Sequence, residues 1–357
     1  MKKLSALIIA LSLLLTGCSG ASSKDAVEKY GSDTLKLFTW GEYTGENLIS
    51  DFEEKFGVKV IVEYFDSNEM MYTKLQAGDS YDVLIPSDYM IERLIKDKSL
   101  TELNKDLLPN LSNLAEGVTK LSYDPENKYS VPYFWGNVGI VYNHKNVPKE
   151  LIEKQGFEIF KNADYKGRVF MYDSERDAFM AAFKALGYSM NTDKEEEIQA
   201  AYNWLKEFND TMDPAYVTDE VIDQMMGGAK DIALVYSGDA TVILDENEDM
   251  SFYLPSEGTN LWSDSMVIPA NAKNPLLAHE FINYVLTYDA SYDNTETVGY
   301  ASSNKEVLED MSASDGPYGD NEAYLPRTDN AKDEIFVDNA VLKQKLSELW
   351  IKVKASK

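Results

Sequence analysis

Residues 131–143 read VPYFWGNVGIVYN, a long apolar run interrupted by Gly136 and Gly139. Its length and composition predict one strand crossing between two domains, with the glycines marking a bend. On the amino-terminal side the pattern alternates. Residues 35–39 form an apolar strand, 46–56 have helical spacing up to Gly57, and 58–64 read as a second strand; 67–77 are helical up to Gly78, and 81–85 form a third strand closed by Pro86. This βαβαβ order predicts a mostly parallel sheet with helices on its faces and ligand-bearing loops at its carboxyl edge. Beyond the crossing strand the pattern resumes. Strands are expected at 168–172, 231–236 and 265–268, and helices at 177–186, 195–208, 220–226, 275–286, 290–298 and 341–353. The acidic stretch 310–333 reads as loop, as do Ser237, Gly238 and Asp239.

The beginning of the chain carries an address. Lys2 and Lys3 precede an apolar run, 4–15, too short to span a bilayer comfortably, and Leu15-Thr16-Gly17-Cys18 follows. This is a signal peptide ending in a lipobox, with Cys18, the single cysteine, as the lipid-bearing residue. Residues 18–33 are expected to be a flexible tether. The formal charge of −27 becomes two units more negative once Lys2 and Lys3 are removed. Such a balance disfavours nucleic acid and anionic surfaces and favours cationic partners.

Catalytic chemistry is poorly supplied. Two histidines, His144 and His279, lie far apart in sequence, and no nucleophile elbow, zinc-protease helix or phosphate loop occurs. The acidic loop lacks calcium-loop spacing, so no metal site and no cofactor are expected. A pair of carboxylates could still serve a surface glycosidase. Recognition chemistry is better represented. The first strand breaks into Trp40, Gly41, Glu42 and Tyr43, two rings flanking an acid where a strand meets a loop. Aromatic faces attract cations and stack on alkyl chains, and a carboxylate supplies the counter-charge, so an organic amine is the expected guest. Ser87 and Tyr89 arrive at the same edge, and Trp262 and Asp264 open a later strand.

Six segments in order, WGEY (40–43), SNEMMYTKL (67–75), YDVLIPS (81–87), YSVPYFWG (129–136), WSDS (262–265) and TVGY (297–300), resemble the spermidine/putrescine-binding proteins among the type II solute-binding proteins of ABC importers. The resemblance implies a two-lobed α/β fold of the periplasmic-binding-protein type II class, with the ligand cleft between the lobes. One lobe would take 34–135 plus 262–308, the other 136–261 plus 309–357. It also implies a monomeric, non-enzymatic, extracytoplasmic receptor, lipid-anchored to the outer face of the cytoplasmic membrane, that delivers a polyamine to a permease with its ATPase. Carried over by position, the ligand set is Trp40, Glu42, Tyr43, Ser87, Tyr89, Trp262, Asp264 and Tyr300 from one lobe, with Ser174, Asp177 and Tyr236 from the other.

Two positions depart from the family pattern. Ser174 stands where an acid is expected, which tilts the preference towards a diamine, and no glutamine matches near Phe336. Ser174 and Asp177 also have the spacing of a helix capping box, and the two readings compete for the same side chains. Ferric-ion or sugar binding on the same fold are the alternatives within the class.

Overall fold

The computed structural model describes residues 21–356; the signal peptide and Cys18 lie outside the described residues. Ten strands form one sheet: β1 (Thr34–Thr39), β2 (Lys59–Tyr64), β3 (Val83–Leu84), β4 (Ser130–Asn143), β5 (Val169–Tyr172), β6 (Ala215–Val217), β7 (Ile232–Tyr236), β8 (Met250–Tyr253), β9 (Leu261–Val267) and β10 (Ala301–Ser302). The order is β2-β1-β3-β9-β4-β7-β5-β6, with β8 and β10 also paired to β4.

The 14-residue β4 is the strand on which the two halves meet. Its residues 130–137 pair antiparallel with β9, while 138–142 pair with β7 and 140–143 with β8. Around it, β1 pairs in parallel with β2 and β3, and β5 in parallel with β6 and β7. Each half is therefore a small parallel sheet, and helices must cover both of its faces. The crossing strand was legible in the sequence. The register shifts between Pro132 and Phe134, where a proline cannot donate to the ladder. Gly136 permits close approach: a Cβ there would lie 2.3 Å from Ser237 Oγ and 2.9 Å from the Trp262 ring.

Two apolar clusters flank the separate halves, one containing Phe38, Met71 and Ile91 and the other Phe170, Val221 and Ile243. A third and larger cluster runs through both halves, joining Leu37, Phe134, Phe179 and Phe281. The closing helix Ala340–Lys354 buries Leu342, Leu346, Trp350 and Val353, as its 3.6-residue spacing requires.

Three expectations need correction. The segment read as a tether contains a helix, Ser23–Tyr30, in which Ser22 and Asp25 form a capping box and Ala26 and Tyr30 are buried. Residues 237–239, read as loop, begin the helix Ser237–Glu246. Finally, Trp262 and Asp264 lie within β9 rather than at its mouth. Apart from β10, the strands that pattern reading missed, β6 and β8, have three and four residues, too few to show a period.

Candidate functional site

The site lies where β1, β7 and β9 end or cross beside β4. Asp264, in the middle of β9, is opposite Phe134 of β4 and bridges to Ser87. It is 6% exposed, and its Oδ2 accepts from the Tyr43 hydroxyl at 2.8 Å. Burial raises its pKa to about 6, against the hydroxyls of Ser87 and Tyr43, which favour the anion.

Two further carboxylates come from the other half of the sheet. Asp177 sits in the first turn of the helix Glu175–Ala185, and its Oδ2 accepts from the Tyr236 hydroxyl at 2.8 Å. Its Oδ1 is buried without a protein partner, and burial raises its pKa. Asp239, in the first turn of Ser237–Glu246, accepts from the Tyr300 hydroxyl at 2.7 Å and is raised to about 7, again by burial. Gly238 makes that pair possible, because a Cβ there would stand 2.1 Å from the Tyr300 ring.

The rings form a continuous wall. Tyr236 meets Tyr172 edge-on at 5.1 Å and Trp262 at 6.0 Å; Trp262 meets Tyr300 at 5.0 Å, and Tyr300 meets Tyr43 at 5.9 Å. Burial pushes the hydroxyls of Tyr43, Tyr236 and Tyr300 well above the ordinary tyrosine range, so each stays a donor. Among the described residues none of the ion pairs involves the carboxylate of Asp177, Asp239 or Asp264, although the neighbouring Arg176 guanidinium, paired with Glu69, favours the Asp177 anion from a distance. The buried Asp177 and Asp264 and the partly buried Asp239 are thus hydrogen-bonded by neutral tyrosine hydroxyls. Such a set holds negative charge at a desolvation cost that an external cation would offset. The Trp262 Nε1 is also buried without a partner.

The structure gathers Tyr43, Ser87, Asp177, Tyr236, Trp262, Asp264 and Tyr300, and assigns other contacts to the remaining expected residues. Trp40 donates its Nε1 to the Ile85 carbonyl at 3.0 Å and packs edge-on against Phe65. Glu42 is exposed, on a backbone with φ of 50° that turns its side chain away from regular β geometry. Ser174 is the helix N-cap, its Oγ accepting from the Asp177 N–H at 3.4 Å, while the Asp177 carboxylate goes to Tyr236 instead of closing a capping box. Tyr89 receives a hydrogen bond from Asn68 and carries the Arg176 guanidinium over its ring at 3.7 Å.

Sequence reasoning passed over Asp239 and Asp88. Asp239 reads as a loop residue in the sequence; the signal that could have found it is its place three residues after Tyr236, in the first turn of a helix that opens at a strand end. Asp88 is buried behind Asp264, accepts from the N–H groups of Tyr89 and Ser263, and is raised to about 8 by burial.

Residues 47–321 match the bacterial extracellular solute-binding proteins. The chain belongs to that family. It is 34% identical over 306 residues to the spermidine/putrescine-binding periplasmic protein of Escherichia coli, covering 85% of each chain. Among solved structures it is similar to the spermidine/putrescine ABC transporter substrate-binding protein of Streptococcus pneumoniae, with 31% identity, a TM-score of 0.74, and coverage of 91% of this chain and 99% of that one. It is also similar to a lipoprotein of Treponema pallidum, with 27% identity, a TM-score of 0.77, and coverage of 90% and 99%. As a member of this family the chain is a non-catalytic, extracytoplasmic solute-binding protein with two lobes of the type II architecture.

Proposed function

We propose that this solute-binding protein captures a polyamine, putrescine or spermidine, and delivers it to an ABC permease with its ATPase, held at the membrane by a lipid on Cys18. The observation that carries the reading is the set of three carboxylates, Asp177 and Asp264 buried and Asp239 partly buried, each hydrogen-bonded to a tyrosine and none to a protein cation. Ammonium groups supply the missing charge, and the Tyr236–Trp262–Tyr300 wall lies along the methylene chain. The 34% identical periplasmic relative, described as binding spermidine and putrescine, supports the same ligand class. The Treponema relative, described as a lipoprotein, supports the anchor. The lobes are 34–135 plus 262–308 and 136–261 plus 309–357, acting as a monomer and closing about the crossing at β4.

Calorimetry with putrescine, spermidine, amino acids, sugars and ferric ion tests the assignment. Heat at micromolar amine, with none from the other solutes, is expected; heat from a sugar or ferric ion alone overturns it.

The pH dependence has a definite sign. Asp264 and Asp239, at about 6 and 7, hold protons in the ligand-free fold that the unfolded chain releases near 4. The folded form therefore binds more protons between the unfolded and folded values, and its stability falls as pH rises from about 4 to about 7. An ammonium ligand favours the ionised acids, so binding releases protons and tightens with pH over the same range. Thermal melts at pH 5 and 8 are expected to show a lower ligand-free Tm at pH 8 and a larger increment from putrescine. A putrescine increment that shrinks with pH contradicts the assignment of these acids to the ligand.

A further inference from the structure

The helix Ser23–Tyr30 is too short to persist in water by itself, and its order comes from contacts with the body of the protein. Ala26 and Tyr30 are 1% and 9% exposed. The Tyr30 hydroxyl and Lys29 Nζ both reach Glu280 Oε2, at 3.0 and 3.1 Å. Just before the helix, Ala21 lies flush against the end of the helix Leu48–Phe56: a Cβ on Gly57 would stand 2.3 Å from the Ala21 carbonyl oxygen, and Gly57 itself has φ of 66°.

These contacts put both ends of Ser23–Tyr30 at one edge of the first sheet. Its carboxyl end runs through Gly31 into β1, which starts at Thr34 opposite Lys59 of β2, two residues after Gly57. Asn274, the residue before the helix Pro275–Val285, donates to the Thr34 carbonyl at 3.0 Å. This is the amino edge of the parallel strands β1, β2 and β3, whereas Tyr43 and Ser87 follow β1 and β3 at the carboxyl edge. Strands of six residues separate the two edges by about 20 Å. Val27 on the docked helix and Leu276 at the start of Pro275–Val285 are large apolar side chains left 48% and 50% exposed on this side.

Cys18 precedes Ala21 by three residues, at most about 10 Å of extended chain. We propose that Ser23–Tyr30 is a docked section of the leash, so that a lipid on Cys18 holds the amino edge of the first sheet at the bilayer and turns the cleft away from it. The inference rests on the reading of Cys18 as the anchor. An undocked leash from Cys18 to Thr34 would reach about 55 Å and let the body rotate freely; the docked one leaves no such slack. Val27 and Leu276 then stand on the side of the molecule nearest the lipid.

The test uses the lipidated full-length protein in vesicles that carry an acceptor dye on their headgroups. Cys18 is the single cysteine, so an introduced cysteine is the one thiol open to a donor label once Cys18 is lipidated. Glu54→Cys marks the amino edge and Asp66→Cys the carboxyl edge, both at exposed positions. Energy transfer from position 54 is expected to exceed that from position 66 by about twofold or more, given the ~20 Å between the edges. The difference is expected to vanish when Ala26→Asp and Glu280→Ala are added, which undocks the helix. Equal or reversed transfer in the otherwise wild-type protein overturns the inference alone, whether or not the undocked variant folds, and so does a difference that survives undocking. Protein that does not associate with the vesicles overturns the anchor at Cys18 and this inference with it.

Discussion

Asp264→Asn is expected to weaken putrescine binding by about a hundredfold while leaving the ligand-free protein as stable as before, or more so. The two effects have one origin. Asp264 is 6% exposed and its pKa is raised to about 6, so at neutral pH the empty fold carries a buried charge at a cost of order 3 kcal/mol. Asparagine has the same shape, keeps an oxygen for the Tyr43 hydroxyl at 2.8 Å and removes the charge. The ligand loses a charge-assisted hydrogen bond, which contributes roughly 1.5–3 kcal/mol. Calorimetry with the variant reads the first effect and denaturant unfolding of the ligand-free protein the second. Affinity within tenfold of wild type removes Asp264 from the ligand shell. A loss of more than about 2 kcal/mol in ligand-free stability would show that the acid is structural.

Trp262→Ala is expected to lower both stability and affinity. Trp262 is 8% exposed and stands between Tyr236 and Tyr300, so its removal leaves a large hole and unseats two tyrosines that carry carboxylate bonds. Truncations of this kind cost about 3–5 kcal/mol of folding stability, and a lost cation–π face costs about 0.5–2 kcal/mol of binding. Trp262→Phe separates the two. It keeps a ring in the wall and deletes the buried, unpartnered Nε1, so stability should fall by less than half the alanine cost and amine affinity by no more than tenfold. A phenylalanine variant as weak as alanine in the binding titration would show that the indole N–H itself meets the ligand.

Much of this fold could be read because its signals are local. The helices 48–56 and 68–76 end where glycine or a turn allows, and their flanking strands are apolar runs of ordinary length. The crossing strand declared itself by length, since 14 apolar-rich residues exceed what one small sheet needs. The helix Ser23–Tyr30 was missed because its composition, rich in charge and serine, matches a linker; what orders it is a capping box and two buried contacts. The helix at Ser237 was missed because Ser-Gly-Asp is also the composition of a turn.

The site was legible as a set of residue types and illegible as a set of pairs. The strand-end rings, the acid of WSDS and the acidic balance indicate a cation, because those properties belong to side chains wherever they are placed. The bonds Tyr43 to Asp264, Tyr236 to Asp177 and Tyr300 to Asp239 join residues 221, 59 and 61 positions apart. No local pattern specifies them. Arg176 and its acid are separated by 107 positions. The sequence by itself determined the alternating α/β order, the crossing strand and the residue types from which a cationic guest is proposed. Only the tertiary structure decided which acids are buried without a cation and which aromatic face the protein keeps for its own arginine, because desolvation and charge pairing depend on distance in space and not on spacing along the chain.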